Sequence, residues 1–308
     1  MENIINLKSG NYKAKVNLSR GANLISLTNS KYNADILRTP DYSKLHNPYT
    51  YGMPLLFPIN RISKGEFVFQ GRLYRFPVNE PATGCHLHGF LHDAEFVTEE
   101  VREDYIKCSC DITRTEDFPH SIKVIMEYIL SDDGVEQKIT ICNLSDYDMP
   151  SLLGFHTTFN VPFIKDSFVD NVLIKCGVSD YIERGQNYLP TGNIPKADDI
   201  TEALCKGTFK TASNPISRHY RVDDNGEIAL LDTKKNVTLV YETDKKFNFR
   251  LIYNGDGSEF ICLEPQNCMV DAINSSFDDE LSKIDVIEAK SKQEYVSKLY
   301  ITKKGQSL

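Results

Sequence analysis

The chain has 308 residues, 41% of them hydrophobic and 25% charged, with 35 basic against 43 acidic side chains and a formal net charge of −8. That balance describes a soluble globular protein and excludes a disordered chain, and the acidic excess, with no basic cluster to offset it, excludes a nucleic-acid backbone as partner. Met1 to Lys8 lacks the apolar core of a signal peptide and no run of about 18 apolar residues occurs, so no membrane association and a cytoplasmic location are expected.

Along the chain, period-two alternation of apolar and polar residues dominates and predicts strands. Gly65 to Phe69, then Gln70-Gly71, then Arg72 to Phe76 reads as a β-hairpin. Cys108 and Cys110 fall on one face of a strand. Val124 to Leu130 and Val135 to Cys142 flank Ser131-Asp132-Asp133-Gly134 and predict a second hairpin. Lys175 to Pro215 is rich in loop residues, with one or two helical turns over Asp198 to Lys206. Asp223-Asp224-Asn225-Gly226 and Asn254-Gly255-Asp256-Gly257 mark two further turns between strand-like runs. Asn254 to Glu259 has the composition of a calcium loop without its ligand spacing, and is read as a hairpin turn. The eight cysteines include no C-x-x-C pair, which predicts reduced thiols in apolar strands. No linker, charge block or repeat divides the chain. An all-β fold, a large antiparallel β-sandwich formed by residues 1–308 as a single domain, is expected.

Four segments place titratable groups among apolar residues. Asn60 and Arg61 follow the run Leu55-Leu56-Phe57-Pro58-Ile59. A surface arginine at a strand end is the plain reading of Arg61; a donor fork aimed at hydroxyls is the functional one. His86, His88 and His92 lie within seven positions, and in an extended chain His86 and His88 share a face. Gly89 after His88 leaves room for a ligand to approach the backbone. From Leu153 to Asn160, alternation puts Leu153, Phe155, Thr157 and Phe159 on one face and Gly154, His156, Thr158 and Asn160 on the other. The second face suits a pocket wall. Glu264 ends a strand-like run before Pro265, which biases it towards an extended backbone. A carboxyl partly buried there rises above the ordinary ~4.3, as a general base near neutral pH requires. The chain has no Trp, so any sugar-stacking surface comes from Phe and Tyr.

In order and spacing these segments resemble the aldose 1-epimerase, or galactose mutarotase-like, family. The matching residues are Asn60-Arg61-Ile62 followed by Gly65 and Gly71-Arg72-Leu73-Tyr74, then Leu87-His88-Gly89, Met149-Pro150, Gly154 to Asn160, and Glu264-Pro265-Gln266. The resemblance implies a galactose mutarotase-like supersandwich that interconverts the α and β anomers of a monosaccharide, an aldose, without metal or organic cofactor. It implies Glu264 as general base at the C1 hydroxyl, His156 as general acid at the ring oxygen, and His88, Arg61 and Asn60 around the sugar. The sequence departs from galactose mutarotases at Phe90, where a second Gly is usual, and at Phe155, where Asn is usual. No acidic substrate-binding residue can be placed near Ser217-Arg218-His219-Tyr220. These departures point to a divergent branch and leave the sugar and the oligomeric state open.

Three other readings compete. A cupin-like metalloenzyme would use His86, His88 and His92 as ligands. A non-catalytic carbohydrate-binding sandwich would have no use for an acid–base pair. A hexose-6-phosphate mutarotase would need a basic phosphate pocket, to which Arg72 or Arg75 could contribute.

Overall fold

The structure is a computed structural model describing residues 2–42, 47–212, 214–255 and 259–303. It is built of antiparallel β-sheets, with two short α-helices among the described residues. One sheet has eight strands in the order Val97–Val101, Tyr105–Ile112, Ile122–Ser131, Gly134–Asn143, Lys292–Lys303, Val237–Thr243, Ile228–Asp232 and Val172–Cys176. A seven-stranded sheet runs Val178–Ile182, Ser217–Val222, Phe249–Tyr253, Phe260–Gln266, Gly154–Phe155 and Leu55–Leu56, with Thr158–Asn160 also paired to Phe260–Gln266. Four N-terminal strands, Ile4–Ser9, Tyr12–Asn17, Asn23–Asn29 and Ala34–Asp35, form a further sheet.

The long hairpin follows directly from its alternation. Ile122, Val124, Met126, Tyr128 and Leu130 all point inward and are buried. Across the register Val124 meets Ile141, Met126 meets Ile139 and Leu130 meets Val135. Asp132 and Asp133 close a two-residue turn between the paired Ser131 and Gly134. The predicted hairpin at Gly65 also forms, as Glu66–Phe69 against Arg72–Arg75. Its turn residues Gln70 and Gly71 both have positive φ, 46° and 75°, which fits the right-handed twist of the flanking strands.

The two large sheets, with Phe247 and Ser151 beside them, pack through their inward faces. Phe155 packs on Phe247 and Phe159 on Tyr241, with ring centroids 6.1 and 5.8 Å apart. The Thr157 and Tyr241 hydroxyls are 3.1 Å apart, and those of Ser151 and Tyr295 2.7 Å apart. Leu153, Phe155, Thr157 and Phe159 therefore face the interior between the sheets, as the alternation predicts.

One turn differs in detail from its sequence reading. Asp223 to Gly226 does not close a hairpin; it carries the chain from Ser217–Val222 in one sheet to Ile228–Asp232 in the other. Asp256, Gly257 and Ser258 lie outside the described residues, while the flanking strands Phe249–Tyr253 and Phe260–Gln266 pair antiparallel. The helix expected at Asp198 to Lys206 spans Asp199–Lys206. Asp198 caps it by accepting from the Thr201 amide, and Gly207 ends it at φ 68°. Within the loop-rich stretch after Lys175, the strand Val178–Ile182 was not legible from alternation. No helix among the described residues is long and apolar enough to cross a membrane.

Candidate active site

The strand Phe260–Gln266 is interior to its sheet, hydrogen-bonded on both sides, and every residue in it is buried. Glu264 sits in that strand with a side-chain exposure of 0%. An unpaired carboxylate so placed is costly. Burial accordingly pushes its pKa up to about 8, against the opposing pull of the Gln266 hydrogen bond and the Arg184 and Arg61 charges. Gln266 Nε2 donates to Oε2 at 3.2 Å. The other oxygen, Oε1, has no hydrogen-bond partner among the described residues.

His156 reaches Glu264 because the neighbouring strand is broken. Gly154–Phe155 and Thr158–Asn160 pair along Phe260–Gln266, but between them the His156 amide leaves the ladder. The His156 amide donates instead to the Pro54 carbonyl at 3.0 Å, and Leu263 N donates to the Thr157 carbonyl at 2.9 Å. Gly154 permits this close approach: a Cβ there would lie 2.8 Å from the Pro265 carbonyl oxygen and 2.9 Å from Ile59. His156 Nε2 lies 3.2 Å from Glu264 Oε1, without the alignment of a hydrogen bond. Burial lowers the His156 pKa to about 3. Both groups are thus driven towards their uncharged forms.

His88 enters from another direction. Its φ of 66° and that of Gly89, 67°, turn the chain sharply after the strand Cys85–Leu87. At Gly89 an added Cβ would meet the Phe57 carbonyl oxygen at 2.1 Å, so glycine is required there. The turn overturns the expectation that His86 and His88 share a face, because that expectation assumed an extended backbone through His88. The His88 ring stands against His156 at 5.3 Å and Tyr49 at 4.4 Å. His86 points elsewhere, its Nδ1 held 2.7 Å from the Pro77 carbonyl and its ring against Phe76. Burial, then the neighbouring His156, holds His88 well below the ordinary imidazole pKa.

Asn60 and Arg61 complete the wall. Asn60, at φ 51°, donates to Gln266 Oε1 at 3.4 Å, so the amides of Asn60 and Gln266 lead in series to Glu264. Arg61 makes a fork to Glu80, both contacts at 2.7 Å, and its guanidinium lies 4.4 Å from the centre of the Tyr188 ring. These five groups line one cavity of about 420 Å³ together with Tyr49, Glu80, Arg184, Tyr188 and Ser217. Sequence reasoning missed those last five. Glu80 had a usable signal, since Glu80-Pro81 repeats the Glu-Pro arrangement of Glu264-Pro265. Tyr49, Arg184, Tyr188 and Ser217 come from loops or strand ends with no periodic pattern.

Other expectations need correction. His86, His88 and His92 do not converge on a shared ligand position: His92 pairs with Asp93 at 3.2 Å, and His86 faces Pro77. Among the described residues, the donors close enough to share a metal ion are those of His156, Cys262 and Glu264, within 4.8 Å of one another. There the Cys262 thiol contacts the Thr158 hydroxyl at 3.3 Å, and burial raises its pKa well above the usual value. Arg72 and Arg75 do not reach the cavity; Arg72 lies over Tyr147 at 3.8 Å and Arg75 is exposed. Phe90 and Phe155 are packing residues outside the cavity, Phe90 against Phe57 and Phe118 and Phe155 against Phe247.

Fold and cavity together define a mutarotase-like β-sandwich, and the sequence agrees. The chain matches the aldose 1-epimerase family over residues 3–289 and belongs to it. Among particular relatives, the protein YihR of Escherichia coli (strain K12), whose name assigns it no activity, is 22% identical over 288 residues, covering 89% of this chain and 87% of its own. The chromosomally encoded LacX of Lactococcus lactis subsp. lactis is 24% identical over 228 residues, 69% of this chain and 72% of its own. A solved galactose mutarotase-like protein from Clostridium acetobutylicum superposes with a TM-score of 0.91 at 27% identity, covering 98% of both chains. An aldose epimerase homologue from C. elegans shares the fold at a TM-score of 0.77 and 16% identity, covering 98% of this chain and 99% of its own.

Proposed function

We propose that the chain is an aldose 1-epimerase in which Glu264 and His156 exchange protons with a cyclic aldose, and His88, Arg61 and Asn60 hold the sugar. The observation that carries this reading is Glu264 Oε1, an unpartnered carboxyl oxygen at the cavity, 3.2 Å from His156 Nε2. A group that binds sugar as a static acceptor would have no need of a buried imidazole beside it. Two groups that must pass protons to neighbouring oxygens of one ring do.

In the ring-opening step, Oε1 takes the proton of the C1 hydroxyl and the C1–O1 bond becomes a carbonyl. The C1 to ring-oxygen bond breaks, and the ring oxygen takes the proton of His156. Rotation about C1–C2 presents the other carbonyl face. The ring oxygen adds to it, returning its proton to His156 while O1 recovers one from Glu264. The enzyme passes from carboxylate with imidazolium to carboxylic acid with neutral imidazole and back, holding one proton in each form: on His156 in the first, and in the second on Glu264, taken from the C1 hydroxyl. Burial favours the uncharged form, so it stabilises the state reached as the ring opens.

That count fixes the pH dependence. The pair carries its single proton between about 3, where His156 takes up a second, and about 8, where Glu264 loses the last. Activity should hold through neutrality and fall as pH rises past about 8. Tyr49 and Tyr188 supply aromatic surface for the sugar. A monosaccharide substrate, action as one 308-residue domain and a cytoplasmic setting complete the proposal. The setting is supported by the eight unpaired cysteines.

NMR measurement of anomer exchange across a panel of aldoses tests the proposal, with Glu264→Gln and His156→Asn beside the wild type. Acceleration by the wild type, lost in both variants, is the expected result. No acceleration of any aldose, or full rate in Glu264→Gln, overturns it.

A further inference from the structure

The cavity holds two guanidinium groups, and their charges are treated differently. Arg61 is neutralised by its fork to Glu80. Arg184 has no carboxylate within ion-pair distance among the described residues. Its Nη2 donates to the Ser217 carbonyl at 2.8 Å and to the Ser217 hydroxyl at 3.0 Å, and its Nε is buried without a hydrogen-bond partner. Burial, then the charge on Arg61, lowers its pKa to about 10, so it still carries its full charge at neutral pH. Glu264, the carboxyl whose charge acts on Arg184, is driven towards its neutral form. The cavity therefore holds one uncompensated positive charge.

Its position is as informative as its charge. Ser217 lies on the strand Ser217–Val222, which pairs with Phe249–Tyr253, which in turn pairs with the strand of Glu264. Two strand spacings at ~4.8 Å place Ser217, which holds the guanidinium, roughly 10 Å across the sheet from the Glu264 strand. Both ends line the same cavity, and Tyr188 bridges the two arginines, its ring 4.4 Å from Arg61 and 5.6 Å from Arg184. A sugar with its anomeric carbon at Glu264 and His156 would present its far substituent to Arg184. An arginine fork with a free donor is suited to an oxyanion there.

We infer that the substrate is an aldose bearing an oxyanion, a phosphate or a carboxylate, at the end remote from C1, and that Arg184 is the residue that selects for it. This rests on the mutarotase reading of the same cavity. A buried cation with an unfilled donor favours a charged sugar over its neutral parent, because a neutral hydroxyl leaves the charge unbalanced.

The test measures anomer-exchange kcat/KM for glucose, galactose, their 6-phosphates and their uronates, with wild type, Arg184→Gln and Arg184→Lys. The expected result is at least a 10-fold preference of the wild type for one charged series, which identifies phosphate or carboxylate. Arg184→Gln should lower the charged-to-neutral ratio by 10- to 100-fold, the scale of a charge-assisted hydrogen bond, and Arg184→Lys should restore part of it. Neutral sugars turned over as well as both charged series, or a ratio unmoved in Arg184→Gln, overturns the inference and leaves the mutarotase reading standing. Titration of the sugars and of inorganic phosphate into Glu264→Gln, followed by NMR, separates the remaining case. If no sugar is turned over but charged sugars bind more tightly than neutral ones, the mutarotase reading falls and the anion preference stands. If neither binds more tightly, both fall.

Discussion

The two large sheets are built to different standards of regularity. The eight-stranded sheet contains strands of 10, 10 and 12 residues at Ile122–Ser131, Gly134–Asn143 and Lys292–Lys303, with unbroken register. The seven-stranded sheet carries the cavity, and where it does so its strands shrink to the two residues Gly154–Phe155 and the three residues Thr158–Asn160. Glu264 Oε1, His156 Nδ1, His88 Nδ1 and Arg184 Nε are all buried without hydrogen bonds, and all four residues line that cavity. The long-stranded sheet repeats its pattern, and among the described residues its two buried unpartnered atoms, Gln137 Oε1 and Asp232 Oδ2, stand apart from the cavity. Around the other, unpartnered donors and acceptors gather on residues that line one cavity, a cost that stability alone would remove.

The largest way to separate the two regions is by activity. Glu264→Gln and His156→Asn should each lower kcat by roughly 10²- to 10⁴-fold, the range for loss of a positioned acid or base. Anomer exchange measured by NMR gives this directly. The double variant should lose little more than the worse single one, because each proton transfer requires both groups.

Stability should respond to the same carboxyl in the opposite sense. The pKa of Glu264 rises from 4.5 to about 8 on folding. In that window the folded state keeps a proton the unfolded chain has released, so stability falls as pH rises from about 4.5 to about 8. His156 acts the other way at lower pH: its pKa falls to about 3, so stability rises with pH up to the ordinary imidazole range. Glu264→Gln removes only the first of these. Its stability relative to wild type should therefore grow from pH 5 to pH 8, by roughly 2–5 kcal/mol. Urea unfolding of both proteins at the two pH values measures it, and a constant difference would show that the carboxyl titrates normally.

Gly154→Ala probes how the broken strand is held. The added Cβ would press on the Pro265 carbonyl and on Ile59, at a cost of about 1–3 kcal/mol. Because Pro265 follows Glu264, kcat should fall as well, and thermal unfolding with anomer exchange reads both. An equivalent alanine in the long-stranded sheet should change stability alone.

The same contrast explains what the sequence made legible. The hairpin from Ile122 to Asn143 could be read residue by residue because one face is buried and the turn is short. Glu264 and His156 stood out because a charged group and an imidazole interrupt apolar runs. Arg184, Tyr49 and Tyr188 were invisible because they reach the cavity from irregular chain, where side-chain direction depends on tertiary contacts and not on period. His88 was found for a wrong geometric reason: its positive φ breaks the extended backbone on which the pairing with His86 was based. The Asp223 to Gly226 turn was recognised as a turn, yet local signals do not say which sheet the next strand joins.

The smallest expected effect tests whether the regular sheet matters to chemistry at all. Tyr128 is buried in the eight-stranded sheet, where its hydroxyl donates to the Ala22 carbonyl at 2.9 Å and accepts from Gln137 Nε2 at 3.1 Å. Tyr128→Phe removes both bonds and leaves two polar groups unpartnered, a loss of about 1–2 kcal/mol. For a chain of this length that lowers Tm by only ~2–4 °C. Since Tyr128 lines no part of the cavity, kcat and KM should stay at their wild-type values. A fall in kcat comparable to that in Gly154→Ala would mean that the long-stranded sheet positions the acid–base pair through the packed interface at Tyr241 and Tyr295. The division between a supporting sheet and a working one would then have to be given up.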